Sequence, residues 1–385
     1  MPLRILNVTQ VYPPGTEACG QAQTVQAVSR HLVRRGHRVT VLTARRGGME
    51  VHSDGGVEVV CLPSTLRYRT HTLNPGVVEF CVRRLRGFDV VHLYGVYDLL
   101  GPVVAGFSRW WDVLYVLEPL GMFRPIVRSI ALKRFYRRVF GWTVARGAMR
   151  VISTSELERD ELIADGIPAA QVIVRRNGVD QPDSEVLARG TFRREIGIGD
   201  GTPLVLSLGR LSRKKGLDLL IEAFSGLPTP ATLAIVGPDD GDGCLRDLKR
   251  LRARLDLDGR VRLLGPRFGA DKYAAFADAD VFVLPSRSEN FGNAAAEAVA
   301  GGVPVIVTEC CGIAPLVRDR AGVVVPCEVE ALRSALVRLI ADQALRDRLR
   351  AGTAEARREL TWDEPVAQME RLYMECIQAR RSSGP

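Results

Sequence analysis

At 385 residues, with 46% hydrophobic and 25% charged positions, the chain has the length for two cores of ordinary size and is not a disordered sequence. Aromatic residues account for 6%, too sparse for a carbohydrate-binding β-module, and no run of about 18 uninterrupted apolar residues is present to span a bilayer. The formal net charge of +9 implies either an anionic partner or a solvated basic face.

The first strand pattern, 3–8, begins with no charged leader, long apolar run or small-residue cleavage site ahead of it, so the expected location is cytoplasmic. A loop with Gly15 and Gly20 follows, then a helix at 21–35 and strands at 37–43, 57–62, 89–92, 113–117 and 150–153. Short β-branched runs alternating with helix-length amphipathic stretches are the pattern of parallel sheets covered by helices, which makes the fold class α/β. Between the last two of these strands lies a basic helical region. From Arg124 to Arg150 come Arg128, Lys133, Arg134, Arg137, Arg138 and Arg146, with no acidic residue between Glu118 and Glu156. One reading is a solvated helix face. The other is contact with an anionic membrane surface, preferred to nucleic acid because no nucleic-acid motif accompanies the cations.

Turn residues cluster from Asn177-Gly-Val-Asp180 to Pro203, after which the rhythm restarts with strands at 204–208, 232–236, 261–264, 281–284, 303–307 and 322–325. The expected architecture is two Rossmann-like domains, 1–180 and 181–362, facing across a cleft. The last segment, 363–385, has Asp363 as a cap and Pro365 in the first turn of a helix expected to cross back to the first domain. Eight cysteines (Cys19, Cys61, Cys81, Cys244, Cys310, Cys311, Cys327 and Cys376) form no C-x-x-C pair and have no histidine at ligand spacing. They are read as reduced, mostly buried thiols, and no metal site is expected.

Two segments carry chemistry. Gly209-Arg-Leu-Ser-Arg-Lys-Lys-Gly216 sits between a strand and a helix, where cations and free amides converge on phosphate at the carboxyl edge of a sheet; Arg210 and Lys215 are the candidate diphosphate ligands. Pro285-Ser-Arg-Ser-Glu-Asn-Phe-Gly-Asn-Ala-Ala-Ala-Glu297 again follows a strand and opens a helix. Asn290, Phe291, Gly292 and Asn293 fall at the helix start, where the dipole favours a phosphate or sugar hydroxyl. Glu289 precedes them, and Glu297 lies inside an Ala-rich helix with no cation at i+4, which points to ligand hydroxyls as its partner. Asp278-Ala-Asp280 has the letters of a metal motif but precedes a buried strand and is read as structural.

These residues give the chain a resemblance to the nucleotide-sugar-dependent glycosyltransferases of the two-Rossmann GT-B fold, specifically the retaining family 4. Glu289 and Glu297 match its Glu, seven residues, Glu motif; Gly209-Arg210…Lys215-Gly216 matches its phosphate loop, and Arg175-Arg-Asn177-Gly-Val-Asp180 its interdomain turn. Tyr12-Pro-Pro-Gly15…Gly20 resembles its first loop. The resemblance implies that Glu297 binds ribose hydroxyls, and that Glu289 contacts the transferred sugar and steadies its developing positive charge. Arg210 and Lys215 would hold the diphosphate, aided by amides around Phe291 and Asn293, and Gly20 would approach the donor. It also implies same-face attack without an enzymic nucleophile, an essential metal or any other cofactor.

Two positions depart from the family pattern. Ala18-Cys19-Gly20 keeps only the second of the usual paired glycines, and Tyr94 stands where many relatives have a histidine. His92 is therefore either a sugar contact or a satisfied core histidine, and Tyr94 is a candidate substitute on the acceptor side. Glu118-Pro-Leu-Gly121-Met122-Phe-Arg-Pro125 resembles an acceptor-lining loop, so Gly121 and Met122 join the acceptor side. His31, His37, His52 and His71 are read as surface or helix-end residues without a role. The implied function is transfer of a hexose or hexosamine from a nucleoside-diphosphate sugar, uridine ahead of guanosine, to a hydroxyl of a glycan or lipid-linked acceptor on the inner membrane face. The rival readings are a nucleotide-sugar 2-epimerase on the same fold, separable by an acceptor-free isomerisation assay, and a non-catalytic nucleotide-sugar sensor, which would not need the leaving-group clamp.

Overall fold

The computed structural model describes residues 1–16, 19–45, 48–68, 71–124, 134–181 and 189–382, with the backbone alone for 66–68 and 71–73. The chain divides into two compact units: Met1–Asn177 with Trp362–Pro385, and Gly178–Thr361.

The first unit is built on an eight-stranded sheet of order β10-β9-β8-β7-β1-β2-β4-β3. Its strands are β1 (Arg4–Val8), β2 (Arg38–Arg45), β3 (Glu50–Asp54), β4 (Val57–Pro63), β7 (Val90–Tyr94), β8 (Tyr115–Glu118), β9 (Val151–Ser153) and β10 (Val172–Val174). A separate two-stranded ribbon joins β5 (Leu66–Tyr68) and β6 (His71–Leu73). All pairings in the large sheet are parallel except that of β3 with β4. The sequence shows no strand at β3 because its residues, Glu-Val-His-Ser-Asp, are those of a solvated edge and carry no buried apolar run. The chain's last helix, Asp363–Ser382, belongs to this unit. Val366, Met369, Leu372, Tyr373 and Cys376 pack in one apolar cluster with Ile5, Val41, Val90 and Val116. Burying such a row contributes roughly 1.5–3 kcal/mol per large side chain, so the helix is an integral layer of the sheet's cover.

The second unit has a six-stranded, wholly parallel sheet of order β13-β12-β11-β14-β15-β16, from β11 (Leu204–Leu208), β12 (Thr232–Val236), β13 (Val261–Leu264), β14 (Val281–Leu284), β15 (Val305–Thr308) and β16 (Gly322–Val325). Alternate residues supply two different cores. Leu204, Leu206, Ala234, Val236, Phe282 and Leu284 face one layer of helices, and Val205, Leu233, Ile235, Val281 and Val283 face the other. Continuous apolar strands are what a sheet covered on both sides requires.

In each unit the strand order reverses once, between β1 and β7 in the first and between β11 and β14 in the second. Loops leaving neighbouring strands at such a reversal diverge to opposite faces and open a crevice at the carboxyl edge. The loops after β11 and β14 are the two motif segments of the second unit, and those after β1 and β7 carry Gly20 and Gly95 in the first. No helix among the described residues is long and apolar enough to cross a membrane.

Candidate active site

Glycine geometry shapes the loop after β11. Gly216 has φ +62, and a Cβ there would collide with the carbonyl oxygen of Pro285; Gly237, at the end of β12, has φ +155 and its Cβ would meet the carbonyl oxygen of Gly209. Backbones thus approach where no other residue fits, which brings the β11 loop onto those of β12 and β14. Gly237 carries no side-chain chemistry, and its place directly after a buried strand is the one signal of it in the sequence.

The approach puts Lys215 against Glu289. The Lys215 ammonium and Glu289 carboxylate form a part-buried ion pair, with Ser286 Oγ 3.5 Å from the same carboxylate oxygen. Burial pushes the Glu289 carboxyl up, but the charges of Lys215, then Lys214 and Arg210, outweigh it and hold it below the ordinary carboxylate range. The loop is fixed from below: Glu289 N–H donates to Cys310 O at 2.9 Å, Gly312 N–H to Glu289 O at 3.0 Å, and Ile313 N–H to Phe291 O at 2.7 Å. Arg210 is half-exposed and donates to Asp240 at 2.9 Å, leaving guanidinium edge free for a further acceptor.

The helix Asn293–Ala300 starts immediately after Gly292, whose φ is +106. Asn290 contributes an Nδ2 that is buried and has no partner in the structure, a group that costs stability unless a ligand satisfies it. The Phe291 ring belongs to the core, so only its backbone can serve the site. Glu297 needs a correction. Its own helix offers no cation, but Lys272 of the neighbouring helix Gly269–Asp278 donates to Glu297 Oε1 at 2.9 Å. The helix-spacing rule sees one element and this cation comes from another, so ligand hydroxyls are not the sole partner within reach of the carboxylate. Asp278 and Asp280 are structural: Asp278 accepts the amides of Gly190 and Arg193, and Asp280 pairs with Arg193 and accepts Leu204 N–H.

In the first unit, Gly20 opens the helix Gly20–Arg34 and is exposed; Ala18 lies outside the described residues. Gln21 ties this start to the end of β7, donating from Nε2 to Thr9 Oγ1 at 3.1 Å and to Tyr94 O at 3.2 Å. Gly121 N–H donates to Glu158 Oε1 at 2.6 Å, and the Met122 methyl lies at the position a side chain on Gly95 would take. Glu158, absent from the sequence reading, also accepts Thr154 N–H at 2.8 Å and Thr154 Oγ1 at 2.9 Å, so it holds the Gly121 loop against β9.

His92 and Tyr94 are both enclosed in the first unit. His92 is fully enclosed, its Nδ1 2.7 Å from the Tyr373 hydroxyl and its Nε2 3.3 Å from Glu118 Oε2. Glu118 in turn pairs with Arg175, which also donates to Asn177 Oδ1 at 3.0 Å. Burial keeps the imidazole neutral, although the Glu118 charge opposes it. Nδ1 is engaged by the Tyr373 hydroxyl, while Nε2 faces the Glu118 carboxylate without a hydrogen bond, an enclosed setting in keeping with the core-histidine reading. Tyr94 stacks on His92 with centroids 3.9 Å apart, and its hydroxyl is buried without a hydrogen-bond partner among the described residues. His37 is likewise no surface residue: it is buried, and its Nδ1 accepts Leu3 N–H at 3.1 Å.

The basic region is less free than its composition implies. Arg124 and Arg137 both pair with Asp165, at 2.9 and 3.2 Å, and Arg146 lies over the Trp142 ring. Positions 125–133, with Arg128 and Lys133, lie outside the described residues.

Residues 188–356 match the family described as glycosyl transferases group 1, and residues 19–178 the glycosyl transferase 4-like domain. The chain is 32% identical to a D-inositol 3-phosphate glycosyltransferase of Xylanimonas cellulosilytica, covering 95% of this chain and 94% of that protein. It is 29% identical to a GDP-mannose-dependent alpha-mannosyltransferase of Mycobacterium tuberculosis, covering 99% and 98%. Among solved structures, sucrose-phosphate synthase from Thermosynechococcus elongatus superimposes with TM-score 0.79 at 22% identity over 98% of this chain and all of that one. Anabaena HepE in complex with UDP and glucose does so with TM-score 0.79 at 21% identity, over 97% and 100%. The chain belongs to the GT-B glycosyltransferases of family 4 and is a nucleotide-sugar-dependent enzyme.

Proposed function

We propose that this transferase moves a hexose or hexosamine from a uridine-diphosphate sugar to a hydroxyl of a glycan acceptor with retention of anomeric configuration. The observation that carries the reading is the Lys215–Glu289 ion pair at the strand-order reversal of the second unit, with Arg210 and the unpartnered Asn290 amide beside it. Lys215 and Arg210 neutralise the diphosphate as it departs, the electrostatic term that dominates such transfer. Glu289, kept ionised by those same cations, opposes positive charge at the sugar carbon. The departing phosphate oxygen takes the acceptor's hydroxyl proton as the new bond forms on the face the leaving group vacates, so no protein nucleophile takes part. Arg210, Lys215 and the start of the helix Asn293–Ala300 perform the task that a metal performs elsewhere, and transfer is therefore metal-independent.

Uridine is favoured over guanosine because the segment 265–268, Gly-Pro-Arg-Phe, offers no carboxylate to the hydrogen-bond donors of guanine, and its Arg267 is paired with Glu195. A lipid-linked acceptor on an anionic membrane is supported by exposed Phe135, Val139 and Phe140 interleaved with exposed Arg134 and Arg138. The Xylanimonas relative, a D-inositol 3-phosphate glycosyltransferase, favours a second acceptor class, a phosphorylated cyclitol. The test is a thermal-shift and calorimetric screen against UDP, GDP and ADP with and without magnesium, followed by product analysis with glycan, lipid-linked and cyclitol-phosphate acceptors. Stabilisation by UDP without metal and an axial or equatorial product matching the donor support the reading; inversion, or binding that requires magnesium, overturns it.

A further inference from the structure

We propose that Arg287 is a positioning residue: its side chain and backbone amide grip the segment 213–218 and set where the Lys215 ammonium stands against Glu289. The inference rests on the donor-site reading of Lys215 and Glu289 given above.

The sequence makes this segment one that needs holding. Arg213, Lys214 and Lys215 are three consecutive cations in one short helical turn, and the helix Leu217–Ser225 begins close behind them with its positive end towards them. Repulsion among the three cations, and from the helix start, favours an opened loop. The turn is closed by Lys215 N–H donating to Ser212 O at 2.9 Å and Gly216 N–H to Arg213 O at 3.3 Å.

Arg287 adds a hold from the β14 loop, two residues before Glu289. Its N–H donates to Lys214 O at 2.9 Å, and its Nη1 to Arg213 O at 3.1 Å. The guanidinium fork closes on the Asp218 carboxylate, Nη1 to Oδ1 and Nη2 to Oδ2, both at 2.7 Å. This is the two-point geometry that arginine offers and lysine does not. Asp218 stands in the first turn of the helix Leu217–Ser225, where the dipole favours a carboxylate. The two segments thus run side by side: Arg287 is tied to the residue before Lys215, and Lys215 is tied to Glu289, two residues beyond Arg287.

Stability does not account for the arrangement. The Arg287 and Asp218 side chains are 41% and 48% exposed, and an ion pair so open to water is screened and adds little to folding. Placement is worth far more, because a displacement of about 1 Å in a group that meets the reacting atoms costs on the order of 10²-fold in rate. Holding Lys214 O fixes the backbone from which Lys215 extends. It thereby fixes the reach of the ammonium to a departing phosphate, on which charge neutralisation depends.

The full-length chain and its variants are compared by thermal unfolding and by initial rates with a UDP-hexose and D-inositol 3-phosphate, or with whichever donor and acceptor the product screen identifies. Arg287→Met should lower kcat by about 10–100-fold while the donor KM stays within about 3-fold, since the loss falls on the transition state. Arg287→Lys keeps the charge without the fork and should lose nearly as much; Asp218→Asn keeps one acceptor oxygen and should lose less. The unfolding midpoint of each should move by no more than about 2–4 °C. Because Arg287 acts through Lys215, Arg287→Met combined with Lys215→Met should turn over no more slowly than Lys215→Met alone. Wild-type kcat in Arg287→Met, additive losses in the double variant, or a kcat that falls only in step with the unfolding midpoint overturns the inference and leaves the donor-site reading standing. Wild-type kcat in Lys215→Met overturns that reading, and the inference with it.

Discussion

Lys272 Nζ donates to Glu297 Oε1 at 2.9 Å, so the carboxylate that we propose meets the donor ribose has a cation from another helix beside it. The bond orients that carboxylate without satisfying both of its oxygens. Glu297→Gln should raise the Kd for nucleoside diphosphate and the KM for donor by about 10-fold, with kcat within a few-fold, since it removes binding common to ground and transition states. Lys272→Met should weaken nucleotide binding by a smaller factor. Isothermal calorimetry and initial rates check both; an unchanged KM with a collapsed kcat in Glu297→Gln would move that residue to the reacting end.

Glu289 and Lys215 should behave oppositely from that pair. Glu289→Gln and Lys215→Met are expected to lower kcat by roughly 10²–10³-fold, the usual cost of losing one transition-state charge contact. The cations hold the Glu289 carboxyl below its ordinary range, so it stays ionised as pH falls through that range and contributes no acid limb to the rate profile there. Removing the lysine lets burial dominate, and the acid limb of residual activity in Lys215→Met should move to higher pH. A profile identical to wild type would show that Lys215 does not set the ionisation of Glu289.

Asp98 offers a pH test of stability. Its buried carboxylate accepts the Gly101 amide at 2.7 Å at the head of the helix Leu100–Trp110, and burial pushes its pKa up to about 6, although that amide and the Leu100 amide draw it down. The folded chain therefore holds the proton more tightly than the unfolded one. Stability from this site is present at low pH and lost as pH rises through about 6. Asp98→Asn keeps an acceptor for Gly101 without the charge, and should gain about 1–3 kcal/mol relative to wild type between pH 5 and pH 8. Urea unfolding across that interval measures it, and parallel pH curves would refute it.

Gly237→Ala should impair donor binding although no ligand contact is ascribed to Gly237. The new methyl must displace Gly209 O, and with it the loop that carries Arg210 and Lys215. A several-fold rise in KM with a loss of about 1–3 kcal/mol in unfolding free energy is expected. Normal donor affinity would mean that the loop absorbs the shift elsewhere.

How legible each part is follows from what carries its information. The sheets show through because β12, Thr-Leu-Ala-Ile-Val, and its neighbours are short apolar runs buried on both faces. The edge strand β3 does not, since an edge is specified by polar residues that also suit a loop. In the site, Arg210, Lys215, Glu289 and Glu297 are visible because each charge sits at a strand end or in an apolar helix, where it needs a reason. Lys272 is invisible: its partner is 25 residues away and on another helix. His92 is ambiguous in the sequence for a similar reason, its environment being set by Tyr373, 281 residues downstream.

That last distance bears on synthesis. The unit 178–361 is complete in sequence as soon as residue 361 has cleared the ribosome, whereas the sheet that begins at Arg4 waits for Val366, Met369 and Tyr373 before its exposed face is covered and His92 gains its hydroxyl partner. The earliest strands are thus finished last, and a chain stopped short of Tyr373 carries an open apolar face on its first unit. Exposed apolar surface of that kind favours aggregation and proteolysis, so the helix Asp363–Ser382 is what completes the cover of the first sheet.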